Sequence, residues 1–376
     1  MASNMALNLI AEVMDWEEGE TSPATKEYAW LKMMSSIKYD GYADFRAGVR
    51  FIESLAVWLK QFDKDDREAA YQFFKTRLVY ISPAELQCLI EIFVPEVVTP
   101  NLRRRVAAEM QIKPYEVWST AKGADLFKSR MRRTLFMGMS DGSRIDIFRR
   151  ANAGRINTEQ VVATYALDDK KWLGLGKDLI KAEGAEAKFE NVYLIDDFTA
   201  SGTTFIRYTE GEWKGKLAKF NQMVIDAKSN LKDYFPLQDK YSLHIHHYIS
   251  SDQARMNLDA LVAKAVEKWD NRTFETVEIT EGLRLPASLK LSAAKDAEVI
   301  SLCDKYYDPD LDVRLAEHLA ESKITTAKYG YAGCALPLIM DHNTPNNSIP
   351  LLWAETDGAN GGHPMSPLFR RRDRHG

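Results

Sequence analysis

Val192-Tyr193-Leu194-Ile195-Asp196-Asp197-Phe198-Thr199-Ala200-Ser201-Gly202-Thr203-Thr204 is the stretch whose reading decides the fold. Four apolar residues run into two adjacent carboxylates, then into a loop of small hydroxyl residues around one glycine. An apolar run this short, bounded by turn chemistry, reads as a strand buried on both faces. The loop has the composition of a phosphate cradle. Its backbone N–H groups can converge on an anion, the Thr and Ser hydroxyls add donors, and Gly202 permits close approach and positive φ. Asp196 and Asp197 fall at the strand's C-terminal end, where open α/β sheets bind ligands. The plainer reading of the same residues is a buried strand that ends in an Asp-rich turn.

The run resembles the PRPP motif of type I phosphoribosyltransferases: apolar strand, acidic pair, then a Thr/Ser-Gly-x-Thr loop, in order and without a gap. The resemblance implies that Asp196 and Asp197 are the catalytic pair, set against the ribose 2′ and 3′ hydroxyls. It implies that Thr199, Ala200, Ser201, Gly202, Thr203 and Thr204 hold the 5′-phosphate. It also implies an α/β fold, a type I phosphoribosyltransferase-like parallel sheet with helices on both faces. One departure stands out. In the family a helix leaves the phosphate loop directly, whereas here Thr203 to Tyr208 is followed at once by Thr209-Glu210-Gly211-Glu212. A short first helix, or an insertion before a longer one, is expected.

The chain has 376 residues, room for one large domain or two ordinary ones. Hydrophobic content of 45% and charged content of 28% are those of a soluble globular protein. A net charge of −4 argues against coating nucleic acid by charge alone. No run approaches the ~18 apolar residues of a membrane span, so no membrane partner is expected. Met1 to Glu20 lacks a basic start and gathers Asp15, Glu17, Glu18 and Glu20, unlike a signal peptide. Three scattered cysteines, Cys88, Cys303 and Cys334, form no zinc spacing and point to a reducing cytoplasm.

From Tyr28 to Arg133 the apolar spacing is helical, with no alternation, so residues 1–133 read as an all-α N-terminal region. Ser82-Pro83-Ala84-Glu85 is a helix start with a capping box, and Thr99-Pro100 opens another helix. From Thr134 the pattern becomes strand and helix in turn, which implies a parallel sheet. Thr134 to Met139 and Ile145 to Phe148 read as strands, Asn157-Thr158 as the cap of a helix through Tyr165, and Asp168 to Gly176 as a soft stretch. Strands are also expected at Tyr241 to Ile249 and Phe274 to Ile279, with helices from Trp213 to Leu231 and from Asp252. The domain expectation is a phosphoribosyltransferase-like domain over 134–355 and a flexible basic tail over 356–376.

Ser140-Asp141-Gly142-Ser143-Arg144 follows an apolar strand and offers backbone N–H groups and one arginine. It is the candidate pyrophosphate loop; the alternative is a β-turn joining two antiparallel strands. Lys170 to Lys177 is either a mobile loop with cations and glycine hinges or a solvated connection. His244 and His246 share a strand face, which suits two metal ligands, but no Cys or acidic partner completes a set. A half-exposed strand beside the nucleotide pocket is the preferred reading, and no metal site is assigned. Arg103-Arg104-Arg105, Arg130/Arg132/Arg133 and Arg370-Arg371-Arg372/Arg374 are either solvated surface or nucleic-acid contacts.

Asp341-His342-Asn343-Thr344-Pro345-Asn346-Asn347-Ser348-Ile349-Pro350-Leu351-Leu352-Trp353 is the second distinctive segment. It is an Asx-rich turn, or a surface in which Asn343, Asn346 and Asn347 read base edges of an acceptor and Trp353 stacks a base. The Asn-Thr-Pro-Asn-Asn segment before an apolar-Trp run resembles the ending of the PRTase-CE group, across about Thr134 to Trp353. That resemblance implies a cytoplasmic effector of bacterial anti-phage defence, some relatives being retron-associated. The implied ligands are PRPP or a nucleotide with Mg2+. The implied partners are a reverse transcriptase with its RNA or DNA, or another defence-system protein. Three function classes follow: a transferase or nucleotide-cleaving enzyme, a non-catalytic nucleotide sensor, and a partner-binding scaffold.

Overall fold

The computed structural model describes residues 2–17, 22–46 and 50–371. Two compact units emerge, one formed by residues 1–85 and 286–376, the other by residues 86–285. These boundaries differ from those expected at 133/134 and 355/356. The reason is the pairing of sequence-distant segments in the first unit. Nine strands form among the described residues: β1 (Val79–Ile81), β2 (Thr134–Gly138), β3 (Val161–Val162), β4 (Phe189–Thr199), β5 (Arg207–Thr209), β6 (Glu212–Lys214), β7 (Leu237–Ser251), β8 (Phe274–Leu285) and β9 (Leu338–Met340).

The first unit joins N-terminal helices to C-terminal segments. Helices Phe51–Lys60, Lys64–Arg77 and Ala297–Tyr306 enclose an apolar core, and β1 pairs with β9 in parallel. The alternation of β1 is only three residues long, too short to stand out among helical sequence. The expected flexible tail is corrected here. Leu368 and Phe369 are 0% exposed, and Phe369 stacks on Phe51 with ring centroids 5.6 Å apart. Ser54 Oγ donates to the Leu368 carbonyl at 2.9 Å and Tyr42 Oη to that of Arg370 at 2.5 Å. A basic composition concealed a pair of apolar anchors. Arg372 and Arg374 lie outside the described residues.

The second unit is built on a five-stranded, all-parallel sheet in the order β3-β2-β4-β7-β8. Numbered within the sheet this is 2-1-3-4-5, a doubly wound order that reverses between β2 and β4. Helices flank both faces. Asp169–Glu183, Lys216–Leu231 and Asp252–Lys268 pack an aliphatic face through Leu175, Phe220 and Leu258 against Leu135, Val192, Leu194 and Ile245. The other face is aromatic. Phe136, Tyr193 and His244 stack across three strands, and Phe93 and Phe148 cover them from helices Pro83–Phe93 and Ile145–Ala151.

Local signals were kept where the chain could satisfy them locally. Glu85 accepts from the Ser82 N–H at 2.8 Å while its own N–H donates to Ser82 Oγ, the expected capping box. Thr99-Pro100 opens the helix Thr99–Met110, as expected, though not after a gap. A π-helical turn, Val94–Val98, carries helix through Pro95 and Pro100 without a break. Ile145 to Phe148 is helix rather than strand, because its apolar residues pack one side against the aromatic face. Lys170 to Lys177 is also helix, since Trp172 and Leu175 are buried at helical spacing and Asp168 caps the start by accepting from the Lys171 N–H at 2.7 Å. After Asn157 only a 3-10 turn forms before the two-residue edge strand β3.

Candidate functional site

The acidic pair sits at the C-terminal end of β4, at the point where the strand order reverses. Alternation sends Asp196 to the aliphatic face, with Val192 and Leu194, and Asp197 to the aromatic face, with Tyr193. Asp196 is 3% exposed. Its carboxylate accepts from Ser140 Oγ at 2.5 Å and forms an ion pair with Lys216 Nζ. Burial raises the Asp196 pKa, with the Lys216 ammonium opposing and the Asp197 charge adding to the rise.

The loop after β2 closes on this pair. Ser140 Oγ also lies 3.5 Å from Asp197 Oδ1. Ser143, fully buried, accepts from the Met139 and Ser140 N–H groups at 3.1 Å and donates to the Ile195 carbonyl at 2.8 Å, which ties the loop to β4. A side chain at Gly142 would put its Cβ 2.2 Å from Asp197 Oδ2, so any larger residue there would push the Asp197 carboxylate aside. With Ile145–Ala151 helical, the antiparallel hairpin alternative for Ser140 to Arg144 falls away. Asp141 is exposed and Arg144 adopts φ 49°, leading directly into that helix.

Thr199 to Thr204 turns beside the pair, and the helix Asp252–Lys268 holds it in place. Ser251 Oγ donates to the Ala200 carbonyl at 2.6 Å while accepting from the Ala254 N–H as N-cap. Asn257 Nδ2 donates to the Ser201 carbonyl at 2.8 Å. Gly202 has φ 76°, and a Cβ there would lie 2.9 Å from the Ala254 carbonyl oxygen. Ser201 Oγ and Thr203 Oγ1 are 2.9 Å apart; Thr204 is exposed. The loop gathers hydroxyls and backbone beside two carboxylates.

The expected insertion after the loop is a β-hairpin, β5 with β6. The following helix then begins at Lys216, with its first N–H groups already spent: Lys216 N donates to the Thr204 carbonyl at 3.3 Å and Leu217 N to that of Phe205 at 2.9 Å. What this helix supplies is Lys216 itself. The sequence reading missed Lys216, Ser251 and Asn257. Ser251 stood before a helical pattern as a legible cap; Lys216 stood behind a hairpin that no periodicity reveals.

His244, His246 and His247 are buried, not half-exposed. His244 stacks on Tyr193 and lies 3.2 Å from Glu278, and His246 stacks on Phe93 at 3.8 Å. His247 pairs in register with Asp196 and meets Phe205 edge-on. Burial pushes its pKa down to about 3, Lys216 adding to the fall and Asp197 opposing it. Among the described residues no group of three or more His, Cys, Asp and Glu side chains is arranged to hold a metal.

The Asn-rich segment belongs to the first unit, the acidic pair to the second. Asn343 bridges Met340, the Asn346 carbonyl accepts from the Tyr331 N–H at 2.7 Å, and Asn347 Nδ2 donates to the Tyr331 carbonyl at 3.2 Å. The Trp353 indole N–H donates to the Ser348 carbonyl at 2.9 Å, and Arg371 lies over its ring. Of the arginine clusters, Arg104 and Arg105 bond Asn101 and Asn191, Arg130 and Arg133 pair with Glu190, and Arg370 pairs with Glu355. Among the described residues no helix is long and apolar enough to cross a membrane.

The fold and site together define a doubly wound α/β protein with an acidic pair and a hydroxyl-rich loop at the strand ends. The PRTase-CE family model matches residues 55–371, and the chain belongs to that family. The match reaches back into the helical region, further than the motif resemblance from Thr134. No curated protein and no solved structure matches the chain.

Proposed function

We propose that this protein binds PRPP or a nucleotide at the β2/β4 crevice and acts there as a phosphoribosyltransferase-like enzyme. The supporting observation is the convergence of the Ser140–Arg144 loop on Asp196 and Asp197 beside the hydroxyl loop. In this reading Asp197 and Asp196 hold the ribose hydroxyls, and Thr199 to Thr204 hold the 5′-phosphate. Ser140 to Arg144 faces the pyrophosphate. The C1–O bond to pyrophosphate breaks, its electron pair leaves with pyrophosphate, and an acceptor nucleophile or water bonds to C1. Positioning and charge stabilisation supply the rate. The oxygen donors of Asp197 and Ser140 suit Mg2+ bound chiefly to the ligand's own phosphates, because Asp196 already carries an ammonium partner. Mg2+ would neutralise charge on the departing pyrophosphate. The biological setting in this reading is an effector of anti-phage defence, with a retron-type reverse transcriptase or another defence protein as partner.

A second reading has its own support. The Lys216–Asp196 pair and the helix N–H groups bonded to loop carbonyls fit a non-catalytic sensor that grips a nucleotide without transfer. One experiment separates them. Purified protein is incubated with PRPP, Mg2+ and pooled nucleotides or nucleic acid, and pyrophosphate release and substrate loss are followed by mass spectrometry. Turnover that disappears in Asp197→Ala supports the enzyme. Thermal stabilisation by PRPP without turnover supports the sensor, and neither response sinks both.

A further inference from the structure

At the opposite end of the sheet from the acidic pair lies a cavity of about 430 Å3. We propose that it binds a small organic anion, a carboxylate or phosphate monoester carried on an apolar body. Arg132 lines it and is 6% exposed. Arg132 Nη2 donates to Glu159 and to the Asp178 carbonyl at 3.0 Å each. Arg132 Nε and Nη1 find no hydrogen-bond partner among the described residues and are closed to water, so an anion in the cavity reaches them as the side chain turns toward it. A guanidinium with two unanswered N–H groups is costly in a protein interior, and its planar fork suits a carboxylate or phosphate.

The surrounding charge points the same way. Arg155 lines the cavity from an exposed turn and Lys128 from the neighbouring helix. Glu183 is the acidic side chain of the lining, and it is already engaged by Ser129 at 2.5 Å and Arg133 at 3.4 Å. Glu159 already pairs with Arg132 at 3.0 Å and Asp125 with Lys128 at 3.8 Å, so Arg155 is the lining's cation without an ion-pair partner among the described residues. Its other wall is apolar, built from Val94, Phe127 and Met131. A bare inorganic anion would leave that wall unused, and a neutral apolar molecule would leave the arginines unanswered. The volume falls within the usual range for small-ligand sites.

This site is distinct from the crevice of the proposed reaction. Arg132 precedes β2 and Ser140 follows it, and a five-residue strand spans about 17 Å. Its ligand therefore meets neither the acidic pair nor the hydroxyl loop.

The test uses the full chain with methyl-labelled methionine, the Met131 resonance being assigned through Met131→Leu. Phenyl phosphate is the probe, with inorganic phosphate and phenol as its two halves. The expected result is a saturable shift of the Met131 methyl at a phenyl phosphate concentration at least about tenfold below that needed with either half. Arg155→Glu, an exposed change that preserves the fold, weakens that shift about tenfold or more. Inorganic phosphate acting as well as phenyl phosphate would overturn the organic-anion assignment. A Met131 methyl that stays still, or one that responds equally in Arg155→Glu, would overturn the site.

Discussion

Strand β4 carries buried carboxylates at both ends, and they are balanced in opposite ways. At its start Glu190 is 7% exposed and receives two arginines, Arg130 and Arg133, the latter at 3.0 Å. At its end Asp196, 3% exposed, pairs with one lysine, Lys216, and accepts from one serine, Ser140. Two cations answer Glu190 at the first end; at the second, one cation answers Asp196, with the half-buried Asp197 carboxylate beside it. A buried charge with excess partners is a structural joint. A buried carboxylate beside a second one is held with its pKa raised, by burial and by the neighbouring Asp197 charge. The difference lies in the helices each end meets, not in the strand's own residues.

The sharpest way to break the comparison is to remove one carboxylate from each end. Asp197→Ala should lower turnover by roughly 10²- to 10³-fold while the protein stays folded, since electrostatic groups at reacting centres are worth that much. Pyrophosphate release and circular dichroism measured together check it. A folded variant with unchanged turnover breaks the catalytic assignment. Glu190→Gln should do the reverse. It takes one carboxylate from two half-buried arginines that keep Glu109 and Glu183, and costs about 1–3 kcal/mol of stability, read by urea unfolding, with ligand binding retained.

Lys216→Met should also destabilise, by about 3 kcal/mol at neutral pH, because it strands the Asp196 charge. The folded pKa of Asp196 is raised above its unfolded value, so its contribution to stability falls as pH rises above 3.8. The deficit of the lysine variant should therefore shrink on acidification, as Asp196 takes up a proton. Unfolding curves for both proteins across mildly acidic to neutral pH decide this, and a deficit independent of pH would show that the ammonium is not acting on Asp196.

A separate, pH-linked effect comes from His247, which bears on the fold and not on the comparison of the two strand ends. Its folded pKa near 3 lies far below the ordinary 6.5, so the unfolded chain binds a proton that the folded one refuses. Stability is full above about 6.5 and falls as pH drops toward 3, by up to ~1.4 kcal/mol per unit. His247→Phe should flatten that slope. An unchanged slope would assign the acid sensitivity elsewhere.

The sequence carried the strand Val192 to Ile195, the acidic pair, the hydroxyl loop and the Ser82–Glu85 capping box, because each is written in consecutive residues. The convergence of the Ser140–Arg144 loop on Asp197 was only half legible. Its composition fitted an anion loop, but Ile145 to Phe148 looked like a strand until the aromatic face of the sheet gave Phe148 a helical side to bury. Lys170 to Lys177 looked soft because its glycines were conspicuous; Trp172 and Leu175, buried against the sheet, outweighed them.

The sequence by itself determined the class of fold, the parallel sheet and the place of the acidic pair on it, since alternation, apolar runs and turn chemistry act over a few residues. The tertiary structure alone decided which charges are answered. Lys216 reaches Asp196 across a hairpin, Arg130 and Arg133 reach Glu190 across nearly sixty residues, and Phe369 reaches Phe51 from the far end of the chain. Charge balance and burial are sums over neighbours in space, and no local pattern contains those neighbours.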